Sequence, residues 1–219
     1  MTMPSLAEEN YLKAIYHLSE GGEKSVMTNE IAEAMSNKAA SVTDMIKKLS
    51  AKNLITYEKY YGVKITGKGK TSALLVIRKH RLWETFLVEK LGFRWDQVHD
   101  VAEQLEHIRS PHLIEKLDEF LGFPETDPHG DAIPDAKGKI KLKPKVALFD
   151  QKAGYKGTIA AVKDSDSNLL IYLNKIGATP GKKIQVIGKE KYDQSMEISL
   201  NNERIFLSKE VSQNILVSS

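Results

Sequence analysis

The sequence predicts a mainly α-helical chain that ends in a small β-barrel. Three observations predict it. Residues 5–65 run in the order helix, short helix, turn, helix, hairpin, which is the order of a winged helix-turn-helix. Three amphipathic helical patterns follow, to Gly122. Beyond a stretch rich in Pro, Gly and Lys, the hydrophobic period falls from near 3.6 to two.

The elements follow in order. Ser5 and Glu8 form an S-x-x-E capping box ahead of Tyr11, Leu12, Ile15 and Leu18, and Gly21 and Gly22 stop this first helix. Thr28 caps a short helix carrying Ile31, Ala34 and Met35. Ser36 and Asn37 make the turn, and Val42, Met45, Ile46 and Leu49 form the inner side of the next helix. Residues 54–57 and 63–65 read as two strands around Tyr60, Tyr61 and Gly62. From Lys68 a long helix runs to Gly92. Asp96 opens another that reaches about Arg109, and Ser110 with Pro111 starts a third, ended by Gly122. Residues 157–162, 169–173, 184–187, 196–200 and 204–207 read as short strands. The domain division is therefore 1–71, a winged helix-turn-helix; 72–126, a helical domain; 127–145, a linker; and 146–219, the β domain.

Composition bounds function. The formal net charge is only +3 over 219 residues, but its distribution is uneven. Residues 24–70 hold nine Lys against Glu30, Glu33, Asp44 and Glu58. Residues 76–130 carry an excess of four negative charges and five of the six His. A basic head thus adjoins an acidic, His-rich middle. With no Cys there is no disulfide, thiolate metal site or Cys nucleophile. No apolar run approaches the ~20 residues of a membrane helix, and the start lacks the pattern of a signal peptide. The expected location is the cytoplasm, with no membrane partner.

Two segments carry the chemistry. The second helix of a helix-turn-helix presents its first residues to the major groove. Here these are Lys38, Ala39, Ala40, Ser41, Thr43 and Asp44, small or polar side chains that allow close approach. Lys47, Lys48, Lys52, and Lys59, Tyr60, Tyr61 and Lys64 on the wing would reach phosphates. The competing reading is a merely solvated basic face. In the middle segment His99, Glu103, Glu106 and His107 recur at i, i+4, i+7 and i+8, and His80 and Glu84 form another i, i+4 pair. Imidazole and carboxylate donors without sulfur suit Mn²⁺ or Fe²⁺, and Zn²⁺ or Co²⁺ would also bind. A metal-dependent hydrolase is disfavoured, since the chain has no H-E-x-x-H helix, phosphate loop or nucleophile elbow. A winged-helix repressor sensing a non-metal ligand is the remaining alternative.

The chain resembles the diphtheria-toxin-repressor family of metal-dependent transcriptional regulators, in particular its manganese-responsive branch. The resemblance is carried by Glu9-Asn-Tyr-Leu-Lys-Ala-Ile-Tyr16, by the helix-turn-helix, and by Arg78-Lys-His-Arg-Leu-Trp-Glu84. It continues through Val98-His-Asp100, Leu105-Glu-His107, Leu121-Gly-Phe-Pro124 and Pro128-His-Gly130. It implies an SH3-like C-terminal domain and a homodimeric repressor that binds an inverted-repeat operator upstream of metal-uptake genes, with divalent metal as corepressor. By position it implies Glu103, Glu106 and His107 as primary ligands with Asn10 from the first helix. It assigns His80, Glu84 and His99 to a second or adjacent site, completed by Asp127, His129 and Asp164. The chain departs from the family in two places. Manganese sensors usually have Asp where this chain has Asn10, and the bacillary type has Glu where it has Lys13. The first-helix ligand is then Asn10 itself, through its carbonyl, or Glu8 or Glu9.

Overall fold

A computed structural model of the chain describes residues 4–163 and 166–218. The chain folds into two compact units. The first comprises residues up to His80 with Gln104–Lys116 and Ile133–Ile140; the second comprises Arg81–Glu103, Leu117–Ala132 and residues from Lys141 onward.

The first unit begins with α1 (Leu6–Leu18). The Ser5 side chain accepts from the Glu8 N–H, and Glu8 accepts from the Ser5 N–H, so the predicted capping box is present. Next come α2 (Thr28–Ala34) and α3 (Ala39–Ala51). Thr28 is the first helical residue rather than the cap: Met27 holds that place, with its N–H donating to the Glu30 carboxylate at 2.7 Å. The hairpin β1 (Ile55–Glu58) and β2 (Gly62–Ile65) is antiparallel, pairing Ile55 with Ile65 and Glu58 with Gly62. Tyr11, Leu12, Ile15, Ile31, Val42, Ile46, Leu49, Leu54 and Val63 form one core. Because each helix puts its apolar stripe into that core, its other face is left to solvent.

The long helix α4 (Gly67–Leu91) ends at Gly92, whose φ of 72° is the left-handed conformation that closes a helix. Helix α5 is shorter than its sequence pattern: it spans His99–Leu105, and Glu106 and His107 lie in the turn beyond it. The four-residue face expected from His99 to His107 therefore does not exist. Helix α6 (Pro111–Phe120) starts as expected, with the Leu113 N–H on the Ser110 hydroxyl.

The C-terminal part of the second unit holds β3 (Val146–Ala147), β4 (Lys156–Val162), α7 (Ser167–Lys175), β5 (Lys183–Lys189), β6 (Met196–Leu200), β7 (Glu203–Leu207), α8 (Lys209–Asn214) and β8 (Ile215–Ser218). The sheet is antiparallel in the order β3-β8-β4-β5-β6-β7, and its ladder is not closed among the described residues. Residues 169–173, expected as a strand, lie in α7. The reason is local: the Asp166 carboxylate accepts from the N–H groups of Asn168 and Leu169, and Leu170 and Leu173 share the buried side of one helical turn. Strands β3 and β8 and helix α8 have no counterpart in the sequence pattern. No helix among the described residues is long and apolar enough to cross a membrane.

Glu8 is also bound by the Lys52 ammonium at 2.6 Å, across the core from α1 to the end of α3. Ser5→Ala should destabilise the protein by about 1 kcal/mol, as loss of a helix cap typically does. Urea unfolding followed by circular dichroism would measure it, and an unchanged midpoint would show that the cap contributes nothing.

Candidate metal centres and DNA-facing surface

Donor groups gather at two places, one in each unit. In the first unit the centre is Glu106, whose side chain is 1% exposed. Its carboxylate accepts from His80 Nδ1 at 2.6 Å, and Lys13 Nζ approaches its two oxygens at 2.8 and 3.0 Å. Burial pushes the Glu106 carboxyl up; the His80 hydrogen bond and the Lys13 charge outweigh it, holding the group below the usual carboxylate range. His107 lies beside it, with Nε2 3.8 Å from Glu106 Oε1 and Nδ1 2.9 Å from Glu9 Oε2. Lys79 Nζ stands 3.7 Å from that same Glu9 oxygen. Burial lowers the Lys79 ammonium, with Glu9 and Glu106 opposing the shift.

Three elements supply these groups. Helix α1 contributes Glu9 and Lys13, one turn apart, α4 contributes His80, and the turn after α5 contributes Glu106 and His107. Between Glu9 and Lys13 on α1, the buried Asn10 Oδ1 has no hydrogen-bond partner, an orphaned oxygen of the kind a cation would satisfy. Glu8 is bound to Ser5 and Lys52, and Glu9 to His107 and Lys79.

In the second unit the centre is Glu84, which is buried. Glu84, Asp127 and His129 each offer a ligand atom within 4.8 Å of the others. His129 Nδ1 lies 3.7 Å from Glu84 Oε2, and His99 Nδ1 3.7 Å from Glu84 Oε1. His99 is half exposed, and its Nε2 lies 3.6 Å from the exposed Glu103. His129 Nε2–H donates to the Trp95 carbonyl at 2.9 Å, and the Trp95 ring stacks on the imidazole at 5.6 Å. That bond leaves Nδ1 as the donor atom facing Glu84.

The loop at 127–130 is fixed by its own turn. Asp127 Oδ1 accepts from the N–H groups of His129 and Asp131, and the Val162 N–H donates to the His129 carbonyl. Gly130 is required there: its φ is 87°, and a Cβ would collide with the Ala160 carbonyl. Burial pushes the Asp127 carboxyl up to about 7, helped by the negative charges of Glu84 and Asp131 and opposed by Arg81. For His129, burial lowers the imidazole, but Glu84 and Asp127 outweigh it and raise the group.

His80 Nδ1 pairs with Glu106, which lies beside His107, and Glu103 lies beside His99. Asp164 lies outside the described residues. Sequence reasoning misses Lys13 and Arg81 as carboxylate partners and the Trp95 carbonyl as the orienting group of His129. Lys13 and Arg81 sit inside the motifs already singled out, but a cation at a metal site is not a signal that ligand chemistry looks for.

At the DNA-facing end, α3 exposes Ala39, Ala40, Ser41, Asp44, Lys47 and Lys48, with Lys38 exposed just ahead of it. Thr43 is partly buried, with its hydroxyl donating to the Ala39 carbonyl at 2.9 Å, and Asp44 pairs with Lys47 at 3.5 Å. Tyr60 and Tyr61 at the tip of the hairpin are 81% and 74% exposed. Aromatic rings held in water at a hairpin tip, beside a basic helix face, suit a nucleic-acid surface better than a folded interior.

Residues 3–63 match the iron-dependent repressor N-terminal DNA-binding domain, 66–135 the iron-dependent repressor metal-binding and dimerisation domain, and 146–219 the FeoA domain. The iron-dependent repressor IdeR of Mycobacterium leprae is 33% identical over 126 residues, 58% of this chain and 54% of its own. The regulator MntR of Oceanobacillus iheyensis is 32% identical over 139 residues, 64% of this chain and 92% of its own. A solved manganese-dependent transcriptional repressor in complex with manganese superposes with a TM-score of 0.86 at 35% identity, covering 97% of this chain and 99% of that one. The chain spans about half the length of the curated iron-dependent repressors it matches.

In the metal-free protein, a carboxyl-carbon NMR titration should place Asp127 near pH 7, and Glu84→Gln should move it downward by removing a neighbouring negative charge. Since the folded value is raised above 3.8, the stability this group contributes is fully present below about pH 4 and is lost as pH rises through 7. Asp127→Asn should flatten that part of the stability profile. A midpoint near 4 would contradict the buried, charge-crowded site.

Proposed function

The chain belongs to the iron-dependent repressor family of DNA-binding regulators, and from that premise we propose that it is a transcriptional repressor activated by divalent metal, with Mn²⁺ as corepressor. The observation that carries the reading is the convergence of Glu9, His80, Glu106 and His107 from α1, α4 and the turn after α5, with the unpartnered amide oxygen of Asn10 next to Glu9 on α1. The donor set fits such an ion: two carboxylates, two imidazoles and an unpartnered amide oxygen, with no sulfur. Bound there, a dication would supply charge and a set of directional bonds linking the three elements. Glu84, His99, Asp127 and His129 are read as a second site, with Glu103 beside it.

The chain's own residues do the rest. Glu9 and Asn10 sit on α1, the helix that the Glu8–Lys52 ion pair ties to the end of α3. Holding α1 against His80 and Glu106 therefore fixes the orientation of Lys38, Ala40, Ser41, Thr43, Asp44, Lys47 and Lys48, the face that we assign to the major groove, with Tyr60 and Tyr61 on the backbone. Two such faces, ~34 Å apart or a multiple of it, are needed to read an inverted repeat. A homodimer supplies them, and α6 leaves Leu113 and Phe120 exposed on a helix of the matching dimerisation region. The division at 71, 126 and 145 and an SH3-like, barrel-forming arrangement of β3–β8 are part of the same reading, as are control of metal-uptake genes and a cytoplasmic location. Fe²⁺ remains the second candidate corepressor, with Zn²⁺ and Co²⁺ as ions able to occupy the sites in vitro.

Operator binding should tighten on titration with Mn²⁺, and Glu106→Ala should abolish that response while leaving the circular dichroism spectrum unchanged. Metal-stimulated affinity that survives in Glu106→Ala would remove the assigned site. Dialysis against Mn²⁺ with no uptake would instead favour a repressor that senses an organic ligand. Lys47→Ala should weaken binding across sequences and flatten the salt dependence by roughly one unit, the loss of one phosphate contact. An unaltered slope would place this Lys off the DNA.

A further inference from the structure

We propose that Lys13 is a tethered cation that occupies the Glu106 carboxylate in the metal-free protein and is expelled when a divalent ion binds. This inference rests on the reading of the Glu106 cluster as a metal site. Lys13 spans both oxygens of a carboxylate that is itself almost wholly buried, at 2.8 and 3.0 Å, and the Lys13 side chain is only 16% exposed. A carboxylate so far from water requires a counter-charge. The same holds for Glu9, 3.7 Å from Lys79. Two carboxylates thus face two ammoniums, and the cluster is electrically balanced before any ion arrives.

That balance decides what a dication meets. Added beside both lysines, it would leave the cluster two charges in excess within a half-buried site. Ammonium and dication also need the same lone pairs, since Glu106 already accepts from His80 as well. Lys13 can leave: its stem is a flexible four-carbon chain, and its head is strongly hydrated once it reaches water. Its position, one turn beyond Glu9 on α1, puts the competitor on the helix that carries the first-helix donors. Lys13 therefore sets how much free metal the site requires.

The test measures Mn²⁺ affinity by calorimetry in a Glu84→Gln background, which removes the central carboxylate of the other cluster. Lys13→Met should bind Mn²⁺ about tenfold more tightly than the parent, the scale of one partly buried ion pair. Lys13→Arg, which keeps the charge, should stay near the parent value. Lys13→Met affinity equal to or weaker than the parent, with Glu106→Gln still abolishing binding, would overturn the inference and leave the metal site standing. Absence of Mn²⁺ binding in the wild type would overturn the site itself. A second measurement uses wild-type protein alone: an amine-reactive label, read by mass spectrometry, should modify Lys13 several-fold faster once Mn²⁺ is added. Labelling that is unchanged or slower would refute expulsion even if Lys13→Met does not fold.

Discussion

The first unit is organised around a carboxylate that has been taken out of water. The Glu106 side chain is 1% exposed, and an unpaired charge at such depth would cost several kcal/mol. The fold answers with an imidazole from α4 and an ammonium from α1. Those partners come from residues 26 and 93 positions away in sequence, so satisfying one charge ties together three segments that local propensity alone would leave separate. The helix-turn-helix inherits its placement from that arrangement, because α1 belongs both to its core and to the Glu106 cluster.

The parts of the fold that are readable in the sequence are those decided locally. The capping box of Ser5 and Glu8, the inner stripe of Val42, Ile46 and Leu49 and the Gly92 terminus each depend on neighbours within one or two turns. Where tertiary contacts decide, the pattern misleads. The i, i+4, i+7, i+8 spacing from His99 to His107 is a good helical pattern, yet the helix stops at Leu105 because Glu106 and His107 are drawn to His80, Lys13 and Glu9. Leu169 to Leu173 is apolar enough for a strand, and the Asp166 cap makes it a helix instead. The short strands β3 and β8 are stabilised by pairing with each other and with β4, which no window of sequence contains.

The candidate sites are legible in the same uneven way. Residue type and spacing pick out candidate donors; which of them come together depends on the third dimension. Glu106 pairs with His80, and Asp127 and His129 gather with Glu84, across stretches of chain that no helical spacing spans. The cations that balance these clusters carry no ligand signature in the sequence. Lys13 and Arg81 hold the charge that the carboxylates need when no ion is present.

The two clusters differ in how they store that charge, and the difference has a consequence for sensing. Around Glu106 the balance is made by lysine heads on long stems, and the carboxyl stays ionised. Around Glu84 the Arg81 guanidinium pairs with Asp127, whose carboxyl is pushed up to about 7 by burial and neighbouring charges, and His129 is raised beside it. An ion entering the first cluster would compete with ammonium, and one entering the second would compete with protons. Under the proposed reading, filling the second cluster would be linked to pH and filling the first to release of the Lys13 head. Coupling of this sort is reciprocal: whatever DNA contributes by fixing α1 must return as tighter cation binding at Glu106. The cluster on α1 is the one placed to transmit that coupling, since only its donors include residues of the DNA-binding core's own first helix.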